Sequence, residues 1–183
     1  VCVLGMGGFA SGPGGLAAWL MRVPLLIHEQ NAIPGMTNRV LSKLASKVME
    51  AFPGAFDTKT QALCTGNPIR NNIVRVMAPN ERFLQRSGPL RLLVVGGSLG
   101  AQAINRTVPK ALAMIEPERR PQVWHQAGKR NIDDTEAGYR QQGVEARAVA
   151  FIDDMNAAYE WADLVLCRSG ALTVSELSAA GVA

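Results

Sequence analysis

The sequence predicts an α/β protein built on open parallel sheets, and three segments carry that prediction. Each runs from a short apolar strand through a glycine loop into a helix. They are Val1-Cys-Val-Leu4 into Gly5-Met-Gly-Gly8 and Ser11-Gly-Pro-Gly-Gly15, Leu92-Leu-Val-Val95 into Gly96-Gly-Ser-Leu-Gly100, and Leu164-Val-Leu-Cys167 into Arg168-Ser-Gly170. Repeated βα units with glycine turns imply parallel strands covered by helices, and such sheets bind ligands beyond the carboxyl ends of their strands.

In chain order, residues 1 to 4 form a strand and residues 14 to 22 a helix. Pro24-Leu-Leu-Ile-His28 is the next strand, a helix covers 35 to 46, and Lys47-Val-Met-Glu50 is a short strand. Cys64-Thr-Gly-Asn-Pro-Ile-Arg70 reads as a turn, because Gly-Asn-Pro blocks a helix. Residues 71 to 90 are polar, with Pro79 and Gly88-Pro89, and read as an interdomain connection. A second series follows: strand 91–95, helix 101–115, strand 121–126, helix 133–142, strand 146–150, helix 155–161, strand 163–167 and a helix from 171. Domains are expected at 1–70 and 71–183. The chain opens in mid-strand without Met and stops at Ala179-Ala-Gly-Val-Ala183, where a helix should lead to its next strand, so a piece of a longer protein is expected.

Of the 183 residues, 48% are apolar and 19% charged, which suits a globular protein with a sizeable core. The net charge of +4 fits anionic ligands or an anionic membrane face, but no basic run appears and nucleic acid is not indicated. Residues 1 to 21 carry no charge, yet six glycines and Pro13 make a strand and loop a better account than a membrane span. Cys2, Cys64 and Cys167 are scattered and read as reduced cysteines of the buried type in a cytosolic protein.

The segment from Arg168 to Glu176 carries the most chemistry. A helix starting directly after Arg168-Ser-Gly170 presents unpaired amides and the positive end of its dipole to an anion. Glu176, one to two turns on, suits the paired hydroxyls of a ribose, which donate hydrogen bonds that a carboxylate can only accept. Cradle and carboxylate together point to a nucleotide diphosphate. The Gly96 loop approaches G-x-G-x-x-G only loosely and lacks the P-loop lysine.

Six ordered stretches resemble the MurG family of bacterial N-acetylglucosaminyltransferases. They are Gly5 to Gly15, His28-Glu-Gln-Asn31 with its continuation to Asn38, Gly66-Asn-Pro-Ile-Arg70, Gly96 to Ala101, Phe151-Ile-Asp-Asp-Met155 and Arg168 to Glu176. The resemblance covers nearly the whole chain. It implies two Rossmann-like doubly wound domains of GT-B type, both incomplete here, with UDP-GlcNAc in the interdomain cleft, mainly on the second domain. The implied acceptor is undecaprenyl-pyrophosphoryl-MurNAc-pentapeptide, met by the first domain at the cytoplasmic face of the inner membrane, with the protein peripheral. By the same resemblance Ile152 offers backbone groups to uracil and Glu176 holds the ribose. Ala171, Leu172, Thr173, Val174 and Ser175 supply helix-start amides and hydroxyls to the diphosphate. Ser98 adds a phosphate or sugar contact, Arg70 sits beside the donor, and Asn31 reaches the sugar from the other domain.

Leu99 stands where the family commonly has Gln, and Phe9 where Tyr is common. The family's G-G-T-G-G-H loop and a later Gln-bearing motif would lie outside this chain. The implied reaction is attack of the muramyl 4-hydroxyl on the anomeric carbon of α-linked GlcNAc, with inversion to a β-1,4 bond. It needs a base and help for departing UDP. Helix amides with Arg70 or Arg168 can meet the leaving-group charge, so no metal or other cofactor is required, and Asp153-Asp154 reads as a turn and helix start. His28 reads as structural rather than as the base, Glu29 stays open, and no catalytic residue is assigned. His125 either packs near the donor or fills the cleft wall, Asn67 and Pro68 form a turn, and Trp124 and Trp161 read as core. Two other classes fit the same features: a GT-B UDP-GlcNAc epimerase, and a non-catalytic nucleotide-sugar-binding module.

Overall fold

The computed structural model describes residues 1–84, 86–97 and 101–183. They form two units, Val1–Pro68 and Ile69–Ala183. The first unit holds β1 (Val3–Gly5), α1 (Ser11–Leu20), β2 (Leu25–Glu29), α2 (Met36–Leu41), β3 (Lys47–Glu50) and β4 (Leu63–Cys64). Its sheet runs β1-β2-β3-β4, parallel throughout. Leu25, Ile27, Leu41 and Val48 form its core. The second helix stops at Leu41, short of the expected residue 46, because the chain must turn back to pair with β2: the Ser46 amide already donates to Leu25 O at 2.7 Å. The two-residue strand β4 pairs with Met49 and Glu50 in a stretch that reads as turn in the sequence.

The second unit comprises α3 (Asn71–Val74), α4 (Pro79–Arg82), β5 (Arg91–Val95), α5 (Gln102–Ala113), β6 (Gln122–Gln126), α6 (Ile132–Gln141), β7 (Arg147–Val149), α7 (Met155–Trp161), β8 (Leu164–Cys167) and α8 (Ala171–Ala180). Its parallel sheet has the order β7-β6-β5-β8. Both faces are covered, and the alternation of β5 shows how. Leu92 and Val94 pack with Val108, Leu112 and Tyr139 of α5 and α6, whereas Leu93 packs with Tyr159, Ala158 and Ile73 on the other face. Full burial of a leucine such as Leu93 contributes about 2–3 kcal/mol.

The described residues between 71 and 90 are not an open connection. Ile73 is fully buried in the second core, and the Arg82 guanidinium donates to the carbonyls of Met77, Ala180 and Gly181, tying α4 to the end of α8. Arg86 does the same at the end of α7, pairing with Asp163 at 2.7 Å and donating to Trp161 O. Most polar residues here are exposed, but Arg82 and Arg86 satisfy helix-end carbonyls. Ile69 also packs on this core, which places the division after Pro68. The cysteines depart from expectation: Cys2 and Cys64 are exposed and only Cys167 is half buried.

Candidate functional site

The strand order of the second unit marks a binding crevice. From β5 the chain steps to β6 and β7 on one side, then places β8 on the other side of β5, so the order reverses between β5 and β8. Connections leave such a switch point in opposite directions and open a gap above the strand ends. A pocket of about 340 Å³ occupies that gap, lined by Val95, Gly96 and Gly97 from one strand end and by Arg168, Gly170 and Thr173 from the other. Gly97 has φ +78°, which a side chain would strain. The buried Gln126 carboxamide holds its peptide from both sides, accepting from Gly97 N at 3.0 Å and donating to Gly97 O at 3.1 Å. Gln126 was not singled out in the sequence, since nothing in a strand-end glutamine announces a loop clamp.

Helix α8 opens into the pocket. Gly170 is its N-cap in extended conformation, with no side-chain cap, so the amides of Ala171, Leu172 and Thr173 are left for an anion. Leu172 and Val174 carry exposed side chains, and the Val174 amide already donates to Gly170 O at 2.9 Å. Ser175 Oγ donates to Ala171 O at 2.9 Å, within the helix. Ser98 lies outside the described residues.

Glu176 sits on the next turn, held by two partners. Arg70 donates to Oε1 through Nε at 3.0 Å and places Nη2 at 3.0 Å from the same oxygen. The Tyr159 hydroxyl donates to Oε2 at 3.2 Å. Tyr159 also packs with Ile152, whose side chain is buried in the same cluster. The structure therefore brings Arg70, Ile152 and Glu176 around one residue, Tyr159, that sequence reasoning missed; an aromatic inside a short helix reads as core, and its hydroxyl's partner is far along the chain. Asp154 caps α7, accepting from Ala157 N at 3.1 Å, as a helix-start reading requires.

In the first unit the end of β2 is a hydrogen-bonded knot. Glu29, almost fully buried, accepts from the Asn31 amide (3.0 Å), Asn31 Nδ2 (2.9 Å), Gly35 N (3.1 Å) and Asn38 Nδ2 (2.9 Å). Burial raises its pKa, but these donors outweigh it and hold the carboxyl below the ordinary value of 4.5. A carboxylate so saturated is a weak base and a strong organiser, and it fixes Asn31. His28 Nε2 lies 2.9 Å from Gly66 O, linking the end of β2 to Gly66. Asn67 Nδ2 donates to Gln30 O across the same link.

His125 lies in the core, not at the pocket surface. It is fully buried, with Nδ1 2.8 Å from the Tyr139 hydroxyl and Nε2 3.0 Å from Asn105 Oδ1. Trp124 and Trp161 are half buried, edge to face at 5.7 Å, with the Arg147 guanidinium 4.1 Å over the Trp124 ring. Among the described residues no three His, Cys, Asp or Glu side chains come together.

Comparison with known proteins agrees with this geometry. Residues 91–183 match the glycosyltransferase family 28 C-terminal domain and residues 1–50 the glycosyltransferase family 28 N-terminal domain. A UDP-N-acetylglucosamine–N-acetylmuramyl-(pentapeptide) pyrophosphoryl-undecaprenol N-acetylglucosamine transferase of Marinobacter nauticus is 58% identical over 181 residues, covering 99% of this chain and 50% of that protein. Its namesake from Nitrosococcus oceani is 59% identical over 180 residues, covering 98% and 50%. The crystal structure of Acinetobacter baumannii MurG superposes with a TM-score of 0.80 at 42% identity, over 98% of this chain and 50% of that one. The chain thus spans about half the length of the curated relatives it matches. A UDP-GlcNAc 2-epimerase from Neisseria meningitidis, solved bound to UDP-GlcNAc, shares the fold with a TM-score of 0.62 at 12% identity, over 97% of this chain and 56% of that one.

Proposed function

The chain belongs to glycosyltransferase family 28, and from that premise we propose that the protein moves GlcNAc from UDP-GlcNAc to the 4-hydroxyl of an undecaprenyl-pyrophosphoryl-MurNAc-pentapeptide, with inversion, in peptidoglycan synthesis and hence in cell shape and division. The observation that carries the donor assignment is the uncapped start of α8, opening into the switch-point pocket with Glu176 on the following turn. The diphosphate lies against the amides of Ala171 to Thr173, with Arg168 at the pocket wall. Ile152 meets uracil through its backbone, and Glu176 takes the ribose hydroxyls. As UDP departs, charge grows on its β-phosphate, where fixed amide dipoles and arginine stabilise it without reorganising. Asn31, set by Glu29, contacts the sugar. Transfer is favoured over epimerisation because the likeness to the epimerase extends to the fold alone.

Calorimetry tests the donor site. Glu176→Ala in the full-length protein should weaken UDP binding by about 1.5–3 kcal/mol, since hydrogen bonds to a charged group are lost. Unchanged affinity in a folded variant would remove Glu176 from the ribose role. UDP released only when lipid acceptor is present would select transfer, and epimerised sugar without acceptor would reject it.

The same reading places the protein peripherally on the cytoplasmic face of the inner membrane. No helix among the described residues is long and apolar enough to cross a bilayer. The groove beside α2 supports surface binding: Ile33 and Met36 are 80% and 82% exposed, Val40 is 58% exposed, and Arg39, Lys43 and Lys59 share the groove. Met36→Glu combined with Val40→Glu should cut co-sedimentation with phosphatidylglycerol vesicles by about tenfold or more. Retained sedimentation would exclude this face as the membrane contact.

A further inference from the structure

The two hydrogen bonds and the ion pair on Glu176 raise a problem that the donor reading, on which this inference rests, does not resolve. A carboxylate offers about four lone-pair sites. Arg70 donates through Nε to Oε1 and crowds the same oxygen with Nη2 at 3.0 Å, and Tyr159 takes one site on Oε2. A ribose diol needs an acceptor for each hydroxyl, and with two guanidinium nitrogens at 3.0 Å from Oε1 that oxygen is obstructed unless one partner gives way. The partners differ in what release costs them. The Arg70 side chain is 54% exposed and regains water at once, and such surface pairs are weak. Tyr159 is 1% exposed, its ring packed among Ile73, Leu93, Ile152 and Ala162, and its hydroxyl would be left buried and unpaired.

We propose that Tyr159 is the positioning residue for ribose recognition, its hydroxyl anchoring Oε2 of Glu176 from the core side while Arg70 is the partner that yields. With Arg70 withdrawn, both lone pairs of Oε1 and the second of Oε2 face outward, and the two ribose hydroxyls can each take a separate oxygen. Burial raises the Tyr159 pKa, which keeps the phenol protonated and a donor throughout the working range. Helix α7 thereby joins two parts of nucleoside recognition: it begins just past Ile152, at the Asp154 cap, and presents Tyr159 to Glu176.

The test compares UDP with 2′,3′-dideoxy-UDP by calorimetry on the full-length protein and on its Tyr159→Phe variant. The unmodified protein should prefer UDP. The Phe variant should lose about three- to tenfold of UDP affinity, the worth of one hydrogen bond, while its affinity for the dideoxy ligand stays put. A purely structural tyrosine would weaken both ligands equally, and an unchanged ratio between them overturns the proposal. If the Phe variant does not fold, 3-fluorotyrosine at position 159 keeps the ring and hydroxyl and sharpens the donor. The ratio should then stay at or above that of the unmodified protein, and its collapse to one overturns the proposal. Unmodified protein that binds neither ligand overturns the donor reading itself, a result distinct from an unchanged ratio.

Discussion

Glu29→Ala should destabilise the first unit by about 2–4 kcal/mol and cost the protein its sugar transfer while leaving UDP affinity intact. The carboxylate accepts four hydrogen bonds, and its removal strands donors of Asn31, Gly35 and the buried Asn38. Glu29→Gln keeps the shape but turns one acceptor into a donor facing other donors, so it should recover only part of the loss. The split between binding and turnover follows from location, since the helix start and Glu176 belong to the second unit and Asn31 to the first. The pH dependence has a definite sign. The folded carboxyl lies below its ordinary 4.5, so the stabilisation is complete above that value and is lost as pH falls through the lower, folded one. Denaturant midpoints for the two variants, with UDP calorimetry and GlcNAc transfer, check both halves; a variant of undiminished turnover would show that Asn31 needs no such support.

Much of this architecture was legible in residue patterns, and the gaps have physical causes. β5 is a short apolar run beside glycines, with Leu92, Leu93 and Val94 buried on alternate faces, and burial on both faces of a parallel sheet leaves that mark; β8 is equally apolar though partly exposed, and β6 carries it only in Val123 and Trp124. The start of α8 was legible for the same reason that it is useful: Gly170 stands between a strand that ends at Cys167 and a helix that begins at Ala171-Leu172. By contrast, Ile73 and Arg82 were hidden in a polar stretch, because an arginine that satisfies the carbonyls of Ala180 and Gly181 looks in sequence like a solvated one. The two residues that complete the pocket's support, Gln126 and Tyr159, act through partners 29 and 17 residues away, and local pattern carries no trace of such pairings. His125 stood open between packing near the donor and filling the cleft wall, because its enclosure by Asn105 and Tyr139 depends on partners 20 and 14 residues away.

That enclosure sets the second unit's response to acid. Asn105 Nδ2 donates to Ala127 O at 2.9 Å, which leaves its Oδ1 to accept from His125 Nε2. Nδ1 of the neutral ring then accepts from the Tyr139 hydroxyl, whose own pKa burial raises. A second proton would place an unsolvated charge in the core, and burial accordingly lowers the His125 pKa from 6.5 to about 4. The unfolded chain takes up that proton as pH drops through 6.5, whereas the folded one refuses it until about 4. Stability is therefore full above pH 6.5 and falls by about 3 kcal/mol on the way to pH 4. The loss should reach the donor site, because Asn105 lies on α5, just beyond the glycine loop, and Gln126, next to His125, clamps Gly97. NMR titration of the two histidines, with denaturant midpoints at pH 7, 5.5 and 4, measures the effect directly, and His125→Gln should flatten its slope. A His125 ring that titrates near 6.5, with midpoints unchanged across that range, would mean that the Asn105–His125–Tyr139 chain opens to water and does not brace the loop.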